Sequence, residues 1–108
     1  MAQMVLHGIE LTSEGVRQFC RRWRIRELAV FGSVLREDFR ADSDIDLLVT
    51  FEEGAPWDLL DLLEMQDEAS LVLGRRVDLF SRRGIEAASN PILKQEVLGA
   101  AETVYAAS

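Results

Sequence analysis

The stretch Val30-Phe31-Gly32-Ser33-Val34-Leu35-Arg36-Glu37-Asp38-Phe39-Arg40-Ala41-Asp42-Ser43-Asp44-Ile45-Asp46-Leu47-Leu48-Val49 decides how this chain is read. Its second half alternates. Ile45, Leu47, Val49 and then Phe51 fall on one side of an extended strand, so Asp44 and Asp46 project together from the other. Two carboxylates that close repel each other and raise one pKa unless a cation lies between them. An oxygen-only pair at this spacing suits Mg²⁺, which takes one or two protein carboxylates together with water and substrate phosphates. For an isolated Asp-x-Asp a solvated strand face is the ordinary explanation, and the first half of the stretch argues against it. Gly32-Ser33 ends an apolar strand at about Glu27 to Phe31, and residues 34 to 40 are predicted to form a short helix. Glycine lets the backbone approach a ligand closely, a helix start offers free N–H groups to a phosphate, and Ser33 adds a hydroxyl.

Outward from this stretch, strands and helices alternate. Ser13 is placed to cap a helix through about Arg24, with Val16, Phe19, Cys20 and Trp23 on one face. Glu52 to Ala55 reads as a loop, and Pro56 stands near the start of a long helix that ends before Gly74. That helix carries a stripe of Leu59, Leu62, Leu63 and Leu73. A strand at Arg76 to Phe80 follows, in which Asp78 points away from Val77 and Leu79. A lone carboxylate in an apolar strand wants either solvent or a cation. Asn90-Pro91 opens a last helix, with Leu93, Val97, Ala100, Ala101 and Val104 as its buried side. The order indicates an α/β (α+β) fold, a small mixed sheet with helices packed on it. No repeat or linker interrupts it, so residues 1–108 are read as a single domain.

Composition narrows the function. The 108 residues carry a net charge of −7, which argues against a dedicated duplex-DNA binder, whose basic face must displace counterions from phosphates. A hydrophobic fraction of 48% supplies a core, yet no apolar run is long enough to span a bilayer. The N-terminus lacks the pattern of a secretory signal, and the single Cys20 allows no internal disulfide, so a cytoplasmic location is expected. One His and one Cys cannot make a zinc pair. Cys20 is expected to be a packed thiol, and His7 is given no role. The basic runs Arg21 to Arg26, Arg75-Arg76 and Arg82-Arg83 are read first as solvated faces, with RNA or an acidic partner as the alternative. Trp57 and the leucine-rich helix after it are candidates for an exposed face that meets a partner.

Together, Gly32-Ser33, the ten residues before Asp44-Ile45-Asp46, and Asp78 on a later strand resemble the nucleotidyltransferase superfamily that includes DNA polymerase β and kanamycin nucleotidyltransferase. The likeness covers nearly the whole chain and is greatest to the minimal nucleotidyltransferases, many of which serve as antitoxins beside HEPN-domain ribonuclease toxins. One departure is visible. The commonest version continues x-Ala-Arg-Gly after Gly-Ser, whereas this chain has Val34-Leu35-Arg36-Glu37.

The resemblance implies that Asp44, Asp46 and Asp78 are catalytic and hold two Mg²⁺ ions, and that Gly32, Ser33 and Arg36 contact the phosphates of a nucleoside triphosphate, expected to be ATP. It also implies transfer of AMP to a hydroxyl of a partner protein, a tyrosine of a HEPN toxin. A chain this short is not expected to carry a second domain that holds a small substrate, which favours an acceptor that brings its own surface. Two alternatives stay open from sequence: an antitoxin that neutralises by contact alone, and the catalytic subunit of a small-molecule nucleotidyltransferase. Base selectivity and homo- or hetero-oligomeric state are also open.

Overall fold

Strand β4, Ile45–Phe51, buries both of its sides: Ile45, Leu47 and Val49 on one, Leu48 on the other. The computed structural model describes residues 3–107. In it β3, Ile25–Phe31, runs antiparallel to β4, and β5, Val77–Ser81, runs parallel to it. A parallel neighbour needs a crossover. Helix α2, Leu59–Leu73, provides it. Strand β6, Glu102–Ala106, pairs antiparallel with β3, so the mixed sheet has the order β5-β4-β3-β6. A small hairpin of β1, Val5–Leu6, and β2, Ile9–Glu10, precedes the rest.

Helix α1, Glu14–Arg22, and α2 cover one face of the sheet. Val16, Phe19, Cys20, Met65 and Ala69 pack there with Leu28, Val30, Leu47, Val49 and Val77. Burial pushes the Cys20 thiol up to about 12, so it is an inert core group as expected. The other face has a smaller cover. Helices α3, Arg82–Ala87, and α4, Pro91–Ala100, set Ile85 and Val97 against Ala29, Phe31 and Leu48.

The caps explain most boundaries. Ser13 accepts from the Val16 amide at 3.3 Å, and Asn90 accepts from Ile92 and Leu93 ahead of Pro91, both as expected. Helix α2 starts at Leu59, later than Pro56 suggested, because Asp58 and Asp61 form a reciprocal capping box. It ends at Gly74, which takes the left-handed conformation with φ 70°.

Three expectations are corrected. Residues 34 to 40 do not form a helix: a 3-10 turn spans Gly32–Leu35, and Arg36 is already extended. The last helix stops at Ala100, and Val104 belongs to β6, where Thr103, Val104 and Tyr105 suit a strand and fill the free edge of β3. Leu93 is 40% exposed. Helix α3 and the first hairpin have no counterpart in the sequence reading. The basic run Arg21 to Arg26 is largely paired within the chain, with Arg21 to Glu14 at 3.5 Å, Arg22 to Glu68 at 2.7 Å and Arg24 to Glu52 at 3.7 Å. Trp57 is likewise structural. Its Nε1–H donates to the Trp23 carbonyl at 2.7 Å, and the two indoles meet edge to face. Leu59 and Leu60 beyond it are each 71% exposed.

Candidate active site

The strand register brings the site together. Across the antiparallel pair Phe31 faces Asp46, and across the parallel pair Asp46 faces Asp78. Register partners share a sheet face, so the two carboxylates stand abreast on the side covered by α3 and α4. They lie where β3 ends and where β4 and β5 begin. Asp44 comes one residue before β4. Its carboxylate is 4.0 Å from the Arg76 guanidinium and 33% exposed.

Gly32 has φ +77°, a conformation that L side chains rarely adopt. A Cβ at this position would also collide with Oδ2 of Asp46. The Asp46 carboxylate therefore rests directly on the backbone of the Gly-Ser turn. Ser33 is half-buried beside it. Because the turn is only four residues of 3-10 helix, the helix N-terminus expected to receive a phosphate is absent. Arg36 is exposed and pairs with Asp38 at 3.2 Å.

Charge at the site is uneven. Asp46 is held above the ordinary carboxylate range, first by burial and then by the negative charges of Asp78 and Asp44, while Arg36 opposes the shift. That pattern favours an added cation. The donors are all carboxylate oxygens, which fits Mg²⁺. Among the described residues, no three His, Cys, Asp or Glu side chains are drawn together in an arrangement that encloses a metal ion. The aspartates adjoin one another without closing on a point.

Below the carboxylates the same face turns apolar. Phe80, two residues after Asp78 and paired with Leu48, is 38% exposed and meets the Phe31 ring edge to face at 5.4 Å. A concavity of about 390 Å³ lies elsewhere, at the far end of β4, lined by Thr50, Glu52, Trp57, Arg82 and Glu86 among others. Asp44, Asp46 and Asp78 are each partly exposed at this end of the sheet.

Sequence reasoning missed the residues that hold the loop between Ser33 and Asp44. The Arg75 guanidinium donates to the carbonyls of Arg40 at 2.5 Å and Ser43 at 3.2 Å, and it lies 4.5 Å over the Phe39 ring. His7 stacks on Phe39 at 4.7 Å, and its Nε2 is 3.0 Å from the Val34 carbonyl. The one available cue was Phe39 itself, a lone aromatic in a polar run.

Known proteins resemble this chain in sequence and in fold. The profile of the nucleotidyltransferase domain family matches residues 13–100. The protein adenylyltransferase MntA of Thermococcus cleftensis is 34% identical over 99 residues, 91% of this chain and 98% of that one. A chain of a toxin–antitoxin crystal structure with AMP-PNP superposes with TM-score 0.67 at 20% identity, covering 86% of this chain and 72% of its own. A chain from the complex of a tri-AMPylated Shewanella oneidensis HEPN toxin with its MNT antitoxin gives TM-score 0.59 at 20% identity, covering 85% and 67%. At that identity the two structures speak for the fold alone. The family profile and the MntA relative go further: this chain belongs to the nucleotidyltransferase domain family.

Proposed function

We propose that this chain is a single-domain protein adenylyltransferase that transfers AMP from ATP to a hydroxyl of a HEPN-domain toxin and thereby acts as its antitoxin. The observation that carries this is the placement of Asp46 beside Asp78 in parallel register, with the Asp46 carboxylate seated on the Gly32 backbone. The MntA relative is named a protein adenylyltransferase, and one structural neighbour is a complex with an AMPylated HEPN toxin, which points to a protein acceptor. This reading puts the protein in the cytoplasm, where nucleoside triphosphates are available.

Asp44, Asp46 and Asp78 are the residues that would hold Mg²⁺, two ions in the full site. Bound there, the metal supplies charge neutralisation for the attacking and leaving oxygens of an in-line displacement. Gly32 and Ser33 take the phosphate side, the backbone approaching closely and the hydroxyl donating to a phosphate oxygen. Arg36 adds positive charge on the same side. Asp78, on the strand away from Gly32, takes the acceptor side and accepts the hydroxyl proton. The acceptor oxygen bonds to the α-phosphorus, the bond from that phosphorus to the bridging oxygen breaks, and pyrophosphate leaves.

The test is pyrophosphate release with each nucleoside triphosphate in turn, with and without the HEPN protein. Release with ATP that depends on both the HEPN protein and Mg²⁺ supports the proposal. Its absence with every nucleotide leaves neutralisation by contact, for which the exposed Leu59, Leu60 and Leu63 offer a surface.

A further inference from the structure

The carboxylate row has two sides, and they differ. On one side of Asp46 lies β3 with the Gly32-Ser33 turn, and on the other lies β5 with Asp78. Strand β5 is an edge of the sheet, so among the described residues no strand flanks Asp78 outward. Phe80 follows on that same strand and face. It is 38% exposed although it is a large apolar side chain, and it pairs edge to face with the Phe31 ring at 5.4 Å.

From this we infer that Phe80 is a specificity-determining residue, a platform on which an aromatic side chain of the acceptor packs while its hydroxyl reaches Asp78. The inference rests on the proposed adenylyl transfer. Same-face positions on a strand are roughly 7 Å apart. A phenolic side chain spans such a gap, because its hydroxyl projects from the far edge of a ring that lies on Phe80. A serine hydroxyl sits one carbon from its own backbone, so bringing it to Asp78 leaves the Phe80 ring uncovered. The nucleotide belongs on the opposite side of Asp46, so the platform faces the acceptor and not the base. Aromatic pairs add attraction beyond the area they bury, which lets one ring select another.

The test compares wild type, Phe80→Ala and Phe80→Tyr in the transfer reaction with the HEPN protein. Calorimetry of Mg-ATP binding and thermal melting accompany it. The expected result is a KM for the acceptor raised about tenfold in Phe80→Ala, with kcat at saturation and Mg-ATP affinity within about twofold of wild type, a lower melting temperature with unfolding still cooperative, and recovery in Phe80→Tyr. With the metal and nucleotide left out, the HEPN protein should also bind Phe80→Ala more weakly than wild type. An unchanged acceptor KM overturns the inference, and so does a comparable loss of Mg-ATP affinity, which would make the ring a platform for the base. A wild type that transfers nothing removes the adenylyl-transfer proposal and this inference together, which sets that outcome apart from an active wild type indifferent to Phe80.

Discussion

The Asp46 carboxylate lies where a side chain on Gly32 would have to begin. One residue thus links the turn that meets phosphate to the strand that carries the metal ligands. Gly32→Ala must shift Asp46 and also hold a strained φ. It is expected to cost about 1–2 kcal/mol of stability. Transfer should fall by roughly 100-fold, since a small misplacement of a ligand is enough for that. Thermal unfolding and initial rates check the two parts separately, and an active Gly32→Ala protein would show that Asp46 is free to move.

The raised pKa of Asp46 has a consequence for stability. An acid held above its unfolded value stabilises the fold at pH below that value, and the contribution is lost as the pH rises through the folded pKa. At neutral pH without metal the ionised carboxylate is therefore a burden. Asp46→Asn should melt higher than wild type in EDTA at pH 7, and the gap should close as the pH falls through the carboxylate range. Saturating Mg²⁺ should raise the melting temperature of wild type and leave Asp46→Asn nearly unmoved. Melting curves across pH with and without the metal test both statements.

Arg75 ties the loop before Asp44 by two carbonyl hydrogen bonds and the Phe39 ring. Arg75→Ala should cost about 1–3 kcal/mol. It should also speed hydrogen exchange of the amides from 36 to 44 and raise the KM for ATP. Lysine should not rescue it, because a point charge cannot serve two carbonyls and a ring as a planar guanidinium does. Exchange rates equal to wild type would assign the loop's order to other contacts.

Trp57 and Leu60 are neighbours in sequence with different duties. Trp57→Phe removes a 2.7 Å hydrogen bond to the Trp23 carbonyl and should lower stability by about 1 kcal/mol. Leu60→Ser, at a position 71% exposed, should change stability by less than about 0.5 kcal/mol. Urea unfolding distinguishes them, and a large loss in Leu60→Ser would mean that the α2 face is already covered.

The legible parts of the fold were those with a strict period or a chemical cap. Ile45 to Phe51 alternates, so the strand and the side on which Asp46 stands could be read directly, whereas Asp44 lies one residue before the strand, and Ser13 and Asn90 marked helix starts that the structure keeps. Long-range pairing was not legible. Val104 and Tyr105 continue the spacing of the helix before them, and only the free edge of β3 makes them a strand. The loop after Ser33 misled for a similar reason: its order comes from Arg75 and His7, far away in sequence. For the site, each carboxylate was visible, whereas the adjacency of Asp46 and Asp78 exists only through the register of β4 with β5.

The most direct measurement is incubation of the protein with α-labelled ATP, Mg²⁺ and the HEPN protein, wild type beside the Asp44→Asn/Asp46→Asn double variant. The expected result is label on the HEPN protein with wild type, and none with the double variant although it still folds. Equal labelling by both proteins, or no labelling by wild type alongside tight binding of the HEPN protein, would contradict the role given to these carboxylates.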